Sequence, residues 1–423
     1  MSSRRRFLET GLKVGLAGMA SPLLGAACKS AGPTAPSLET GASSRLADRF
    51  PDLRRHFAFE YYPWYGGPTD YVHWSADDRR PPSDLSSNYY PLLGAYDSRT
   101  RAVVEQHARW MADAGVGTVN LSWWGQKSFE DKTVNDVMDV MRDHDLKVAF
   151  HLEPYGPDRG ENFGSDIQYL IREYGERRRF DTLLVLKNAD GREGPVFKGF
   201  GTILFPDYVD CHGVKHAVLE YTSDAAWKRT NDDLRRRLRG DFDHITLLSD
   251  SWGADRVRAA GFDGFAVYDA FVKPSDYRPH AEAARAVQLL SCHSVNAGYD
   301  GIHLREVEPD SCYVPSAVEP DVAPIDWSRA DERERVAEAS RKRIVESFRE
   351  AIAVQTDPTL LNAQRGFFLV YISTFNEWHE GTQFEPMKDS AALTPAEVPF
   401  GYHNPRNGRY RLDTLRSLLA GLA

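Results

Sequence analysis

Residues 367–380 read Phe367-Phe368-Leu369-Val370-Tyr371-Ile372-Ser373-Thr374-Phe375-Asn376-Glu377-Trp378-His379-Glu380. The first part is a mostly apolar run of strand length, and the second is polar and aromatic. A short apolar run bounded in this way is the pattern of a strand buried on both faces. Just upstream, residues 331–354 carry helical periodicity, with Ile344, Val345, Phe348, Ala351 and Ile352 in one stripe among charges. Helix followed by buried strand is one half of a repeating α/β unit. Working outward, similar runs recur at residues 56–65, 117–124, 147–155, 216–221, 244–250, 264–271 and 311–316. Helical segments lie between them, such as 99–114 with Val103, His107, Trp110 and Met111 on one face. Strands alternating with helices pair in parallel, and eight such units predict an α/β chain closed into a single (β/α)8 TIM barrel. The fourth unit is ambiguous, because 182–186 and 201–205 compete with 216–221 for the strand. The stretch 177–213 is expected to be an elaborated loop.

Composition narrows the function. The 423 residues carry a net charge of −9, which argues against a nucleic-acid binder, since phosphate recognition needs a basic face. A 42% hydrophobic content is that of a globular body and not of a disordered chain. Four cysteines are too few for a disulfide scaffold. The N-terminus reads separately. Ser3-Arg4-Arg5-Arg6-Phe7-Leu8, with a weakly apolar stretch after it, resembles a twin-arginine export signal over residues 1–27. Its Gly-rich run is too short for a membrane span. Cys28 stands where a lipoprotein cysteine would and is the candidate for lipidation, although Gly25 replaces the usual Leu three positions before it. Residues 28–51, rich in Ser, Ala, Gly and Pro, read as a tether, and 52–423 as the single barrel domain. Without residues 1–27 the chain has 48 basic and 60 acidic residues, a net charge of −12. Cys211, Cys292 and Cys312 are expected to be small buried residues. An exported monomer is expected, whether periplasmic, cell-surface or extracellular. It would contact a membrane only through a lipid on Cys28.

A barrel of this kind places its chemistry just beyond the C-terminal ends of its strands. Polar and aromatic clusters sit there repeatedly. They are Tyr62-Pro63-Trp64-Tyr65 after the first run, Trp123-Trp124-Gly125-Gln126 after the second and Glu153-Pro154-Tyr155 after the third. Tyr268-Asp269 comes after the sixth, and residues 376–380 after the eighth. Eight aromatic residues fall between Phe57 and Trp74, more than a core strand needs. A single ring at a strand end is usually core or rim, but five such clusters on one rim point to a ligand. Glu377 and Glu380 form the sharpest pair. Paired carboxylates serve glycosidic bond cleavage, one as acid to the leaving oxygen and one as base or nucleophile. Against Trp378 and other rings, one of the two is expected to start protonated. A solvated loop with ordinary acids is the competing reading. It is disfavoured by Asn376, Trp378, His379, Thr382 and Gln383, which supply rings, donors and acceptors for a sugar.

Other chemistries fit less well. His379-Glu380 lacks a second His four positions on, no Cys/His spacing resembles a metal site, and no Gly-rich dinucleotide or phosphate loop comes after a strand. No metal and no cofactor is expected.

The order Tyr61-Tyr62-Pro63-Trp64-Tyr65-Gly66, His73-Trp74, Arg80-Pro81-Pro82-Ser83-Asp84, Tyr90-Pro91-Leu92-Leu93-Gly94, Tyr96-Asp97-Ser98, Ser122-Trp123-Trp124-Gly125-Gln126, Glu153-Pro154-Tyr155, Gly261-Phe262-Asp263-Gly264 and Asn376-Glu377-Trp378-His379-Glu380-Gly381-Thr382-Gln383 resembles glycoside hydrolase family 99. The resemblance spans roughly residues 56–386. That family comprises endo-acting α-mannosidases and mannanases on a (β/α)8 barrel. The resemblance implies that Glu377 deprotonates the substrate's own 2-hydroxyl and that Glu380 protonates the leaving oxygen, giving retention through a 1,2-anhydro sugar. It also implies that Trp123 or Trp124 stacks on a sugar ring. Glu153, Tyr268, His379 and the tyrosines of residues 61–65 would bind hydroxyls. Trp64, His73, Trp74, Gln126, Tyr155, Asn376, Trp378 and Gln383 complete the expected substrate-binding set. The chain departs from the family at Pro315-Ser316-Ala317-Val318-Glu319-Pro320, at Leu219-Glu220-Tyr221-Thr222-Ser223 and at Phe265-Ala266-Val267-Tyr268-Asp269. Glycan chemistry is therefore the firmer expectation, and mannose specificity the finer one. The rivals are a glycan-binding lipoprotein that has lost catalysis and a barrel glycosidase for a different sugar.

Overall fold

The computed structural model describes residues 46–176, 180–188, 190–305 and 315–422. The export segment, most of the tether, Cys28, Cys312 and the triple arginine 177–179 lie outside the described residues. The twelve strands among the described residues are β1 (Phe57–Tyr61), β2 (Thr118–Trp123), β3 (Lys147–Leu152), β4 (Val185–Lys187), β5 (Glu193–Gly199), β6 (Asp207–Val209), β7 (Lys215–Ala217), β8 (Thr246–Ser249), β9 (Gly264–Ala266), β10 (Leu290–Cys292), β11 (Ser294–Asn296) and β12 (Val370–Ser373). The main sheet runs β10-β9-β8-β5-β3-β2-β1-β12-β11 with every neighbouring pair parallel. β10 and β11 are consecutive stretches either side of His293. The first pairs with β9 and the second with β12, so together they act as the seventh stave and bring the sheet round on itself. The nine parallel strands form a nearly closed barrel wrapped by helices, as expected.

Alternation along the strands builds two layers. Phe57, Phe59 and Tyr61 of β1, with Val119 and Leu121 of β2, join a core that includes Val104, Met111, Val137, Met141, Ile344 and Phe348 from the surrounding helices. The intervening positions face the barrel axis. There Ala58, Ala149, Val196, Leu248, Ala266, Cys292, Leu369 and Tyr371 fill the lower interior. Among the helices, α1 (Arg101–Asp113) and α2 (Phe129–Asp143) come after β1 and β2, and α3 (Ala330–Thr356) precedes β12. Ser128 caps α2 by accepting the Asp131 backbone N–H at 3.0 Å. No helix among the described residues is long and apolar enough to cross a membrane.

The structure corrects the sequence reading at two staves and one cysteine. The fourth stave is β5, inside the stretch read as a loop, while residues 215–217 belong to a separate β6–β7 hairpin. Glu193–Gly199 contains a glycine near each end, Pro195 and Lys198, so its composition hides a strand. The seventh stave is residues 290–296 and not 311–316, most of which lie outside the described residues. Ser291, His293, Ser294 and Asn296 are all buried there, which an apolar-run search passes over. Cys292 is buried as expected, whereas Cys211 is exposed beside the hairpin.

Candidate active site

The chain leaves β12 at the upper end of the barrel and turns tightly through residues 374–383. The Ser373–Thr374 peptide is cis. Thr374 Oγ1 accepts the Glu377 backbone N–H at 2.9 Å and lies 2.9 Å from Thr382 Oγ1, so the turn is closed on itself. Gly381 has φ +65°, and a Cβ there would come within 2.1 Å of the Asp300 carbonyl oxygen, so the motif needs glycine at this point. Asn376 clamps the turn to the end of β1. Its Oδ1 accepts the Tyr62 N–H at 2.8 Å, and its Nδ2 donates to the Tyr62 carbonyl at 2.9 Å and to the Tyr96 hydroxyl at 3.2 Å.

This framework gives the two glutamates different surroundings. Glu377 is buried, and its Oε1 accepts the His379 backbone N–H at 3.2 Å. Glu380 is half-buried and accepts a hydrogen bond from the Tyr268 hydroxyl, which arrives from the loop after β9. Residues of two non-adjacent staves thus meet at Glu380. Tyr268 is itself fixed, since its backbone N–H donates to Asp250 Oδ1 at 2.9 Å. The Tyr65 hydroxyl accepts the Trp378 N–H at 3.1 Å. Burial, reinforced by the charge of Glu377, holds its pKa well above the usual phenol range.

The aromatic residues divide into support and surface. Trp74 is fully buried, stacks on Tyr65 at 4.1 Å and donates its indole N–H to the Tyr96 carbonyl at 2.8 Å. Trp378 is equally buried and donates to Glu385 Oε2 at 3.0 Å. Tyr62, Trp64, Tyr65, Asn376 and Gln383 are buried with them. Much of the aromatic excess therefore packs ring against ring and holds the rim in place. Trp123 faces away from the mouth. It lies in the layer between sheet and helices and donates to Asp131 Oδ1 at 2.9 Å, which leaves Trp124 as the ring of that pair beside the site. Trp124 is half-buried, 6.3 Å from Trp64, and donates to Ser122 Oγ at 3.2 Å. His73 stacks on Trp64 at 4.5 Å, and its carbonyl accepts His379 Nε2–H at 2.9 Å. Glu153 is buried at the end of β3 and accepts the Ser122 hydroxyl at 2.8 Å. Gln126 and Tyr155 both donate to Asp166.

Several buried charged groups beneath the mouth escaped the sequence reading. Glu60 of β1 is ion-paired to Lys198 of β5 with both side chains fully buried, and His151 Nδ1 lies 3.8 Å from Glu60 and 3.9 Å from Glu153. Asp250 lies just beyond β8, and burial pushes its carboxyl up to about 7 against the opposing charge of Lys198. Glu385 accepts from Tyr96, Trp378 and His107 below the motif. Two signals were available: Glu60 interrupts an apolar run, and Asp250 stands at a strand end. Among the described residues no group of three His, Cys, Asp or Glu side chains is placed to hold a metal ion.

Comparison with known proteins agrees with the barrel fold. The sequence profile of glycosyl hydrolase family 99 matches residues 52–183. Glycoprotein endo-alpha-1,2-mannosidase of Mus musculus is 26% identical over 410 residues, covering 90% of this chain and 78% of the relative. The chain is similar to glycoside hydrolase family 99 across most of its length. A Homo sapiens glycoprotein endo-alpha-1,2-mannosidase-like protein is 28% identical over 378 residues, covering 82% of this chain and 71% of its own. The solved GH99 endo-alpha-mannosidase of Bacteroides thetaiotaomicron shares the fold, with a TM-score of 0.56 at 20% identity over 87% of this chain and 97% of that one. The chain is a glycoside hydrolase, and its turn over residues 376–383 carries Glu377 and Glu380.

Proposed function

We propose that this glycoside hydrolase cleaves internal α-linkages of mannose-containing glycans with retention of configuration. The observation that carries the reading is the meeting of two differently held glutamates at the end of β12, one buried and one reached by the Tyr268 hydroxyl. In the first step Glu377 takes the proton of the substrate's 2-hydroxyl, and that oxygen attacks the anomeric carbon. The glycosidic C–O bond breaks, and Glu380 gives its proton to the departing oxygen. In the second step Glu380 takes a proton from water, and the hydroxide opens the 1,2-anhydro ring at the anomeric carbon. The 2-oxygen then recovers its proton from Glu377. Two inversions give net retention with no bond from sugar to protein.

The environment suits this division of labour. A base that receives a proton from a carbon-bound hydroxyl benefits from a fixed, dry setting, which the buried Glu377 has. A group that must exchange with solvent water in the second step needs access, which the half-buried Glu380 has. His73, Trp124 and His379 offer part-exposed rings and polar edges to sugar faces and hydroxyls. The names of the curated relatives support mannose as the sugar. The Arg4-Arg5-Arg6 leader and Cys28 support export with a lipid anchor. The test is incubation of the mature protein with α-mannan and a panel of other α-glycans, with products read by mass. Cleavage of mannose-containing chains at internal bonds is expected. Glycan binding without any cleavage would instead favour the lectin-like reading.

A further inference from the structure

Lys198 is the most unusual residue in the interior. It is a fully buried ammonium in a barrel interior that combines the apolar cluster of Ala58, Ala149 and Leu248 with the buried Glu60 and His151. Taking a Lys–Glu pair out of water costs more than apolar filling of the same space, so the pair is poorly explained by stability. Its surroundings give a different account. Glu60 holds the ammonium from β1, and the ring of Tyr371 on β12 lies 4.8 Å from Nζ. On the upper side Nζ lies 5.8 Å from the centroid of the Tyr268 ring. Both distances are within reach of a cation–π attraction, which is strongest where water is excluded. Tyr268 is the residue whose hydroxyl donates to Glu380.

We propose that Lys198, held by Glu60, is a positioning residue for the general acid, acting through Tyr268. The ammonium fixes the Tyr268 ring and draws electron density from it, which makes the phenol a better donor to Glu380. A firm donor favours the carboxylate that Glu380 becomes once the leaving oxygen has taken its proton. Lys198 itself is buried beneath the site and touches no sugar, so its effect belongs to turnover and not to substrate binding. This inference rests on the assignment of Glu380 as the acid.

The experiment is a double-mutant cycle on the full-length enzyme. Lys198→Met with Glu60→Gln removes both charges while keeping shape, and it is made with Tyr268 intact and with Tyr268→Phe. With Tyr268 intact, kcat is expected to fall about tenfold, the size of one charge-assisted hydrogen bond, with KM within about twofold. In the Tyr268→Phe background the same pair of changes should alter kcat by less than about twofold. Unchanged kcat with Tyr268 intact, or an equal loss in both backgrounds, overturns the inference. Should the neutral pair fail to fold, Glu60→Asp withdraws the anchoring carboxylate by one methylene. A fall in kcat at constant KM that vanishes with Tyr268→Phe supports the proposal, and unchanged kcat overturns it. A wild type that cuts no glycan, or Glu380→Gln with full turnover, counts against the underlying assignment and not against the coupling.

Discussion

Glu385 offers the clearest quantitative test of how the turn over residues 374–383 is held. Its side chain is buried and takes three donors: the Tyr96 hydroxyl at 2.8 Å, the Trp378 indole N–H at 3.0 Å and His107 Nε2 at 3.2 Å. His107 Nδ1 in turn lies 3.1 Å from the Tyr61 hydroxyl. Glu385→Leu preserves bulk, removes the acceptor of the Tyr96 hydroxyl and of His107, and leaves the Trp378 indole N–H only its longer contact to the Tyr96 hydroxyl at 3.3 Å. An unmet buried donor costs on the order of 1–3 kcal/mol, so the loss should be about 4 kcal/mol after some relaxation. In a chain of this length that corresponds to a fall in Tm of roughly 5 °C. Glu385→Gln is the informative control. Its amide oxygen still accepts from Tyr96 and Trp378, and its NH2 group can donate to His107 once that ring adopts the other tautomer, with Nδ1–H turned to Tyr61. A cost of about 1 kcal/mol is expected for this variant. Thermal unfolding monitored by circular dichroism measures both. Loss below about 1 kcal/mol for the Leu variant would refute the view that this carboxylate anchors Trp378 under the motif. Equal losses in the two variants would show that its charge, and not its accepting capacity, is what matters.

Glu377→Gln and Glu380→Gln should each lower kcat by orders of magnitude while leaving glycan binding, measured by calorimetry, largely intact. Trp123→Ala is expected to cost about 3–5 kcal/mol in unfolding experiments because the ring is core, whereas Trp124→Ala should leave Tm nearly unchanged and raise KM. Asp250 has a folded pKa raised to about 7, above its unfolded value of 3.8, so the folded state holds its proton more tightly. Its contribution therefore weakens the fold progressively as pH rises from about 4 to about 7. Urea midpoints of wild type and Asp250→Asn should diverge in favour of the variant across that window, and parallel curves would contradict the assignment.

The sequence revealed those parts of the fold in which burial and apolar composition coincide. β1, β2, β3, β8, β9 and β12 all fall in apolar runs, and α1 and α3 track their apolar stripes. β5 and the β10–β11 stave were hidden because the barrel buries polar groups in pairs that are distant in sequence. Lys198 looks like a loop residue until Glu60 is seen opposite it. The turn at 376–383 was legible because its polar residues come immediately after an apolar strand. The division of labour among rings could not be read there. Trp123 and Trp124 are adjacent in sequence, but strand pleating sends the first outward to the helices. Likewise Trp74, Tyr65 and Trp378 spend their surfaces on one another, a consequence of long loops that have to build their own core above the barrel.

The most direct test of retaining cleavage by this glutamate pair is the anomeric outcome. The mature enzyme is incubated with an α-linked mannose oligosaccharide, and the newly formed reducing end is monitored by NMR from the first turnover. Internal cleavage with the α-anomer appearing first is the expected result. Initial release of the β-anomer, or no cleavage of any α-glycan by a folded protein that still binds one, would contradict it.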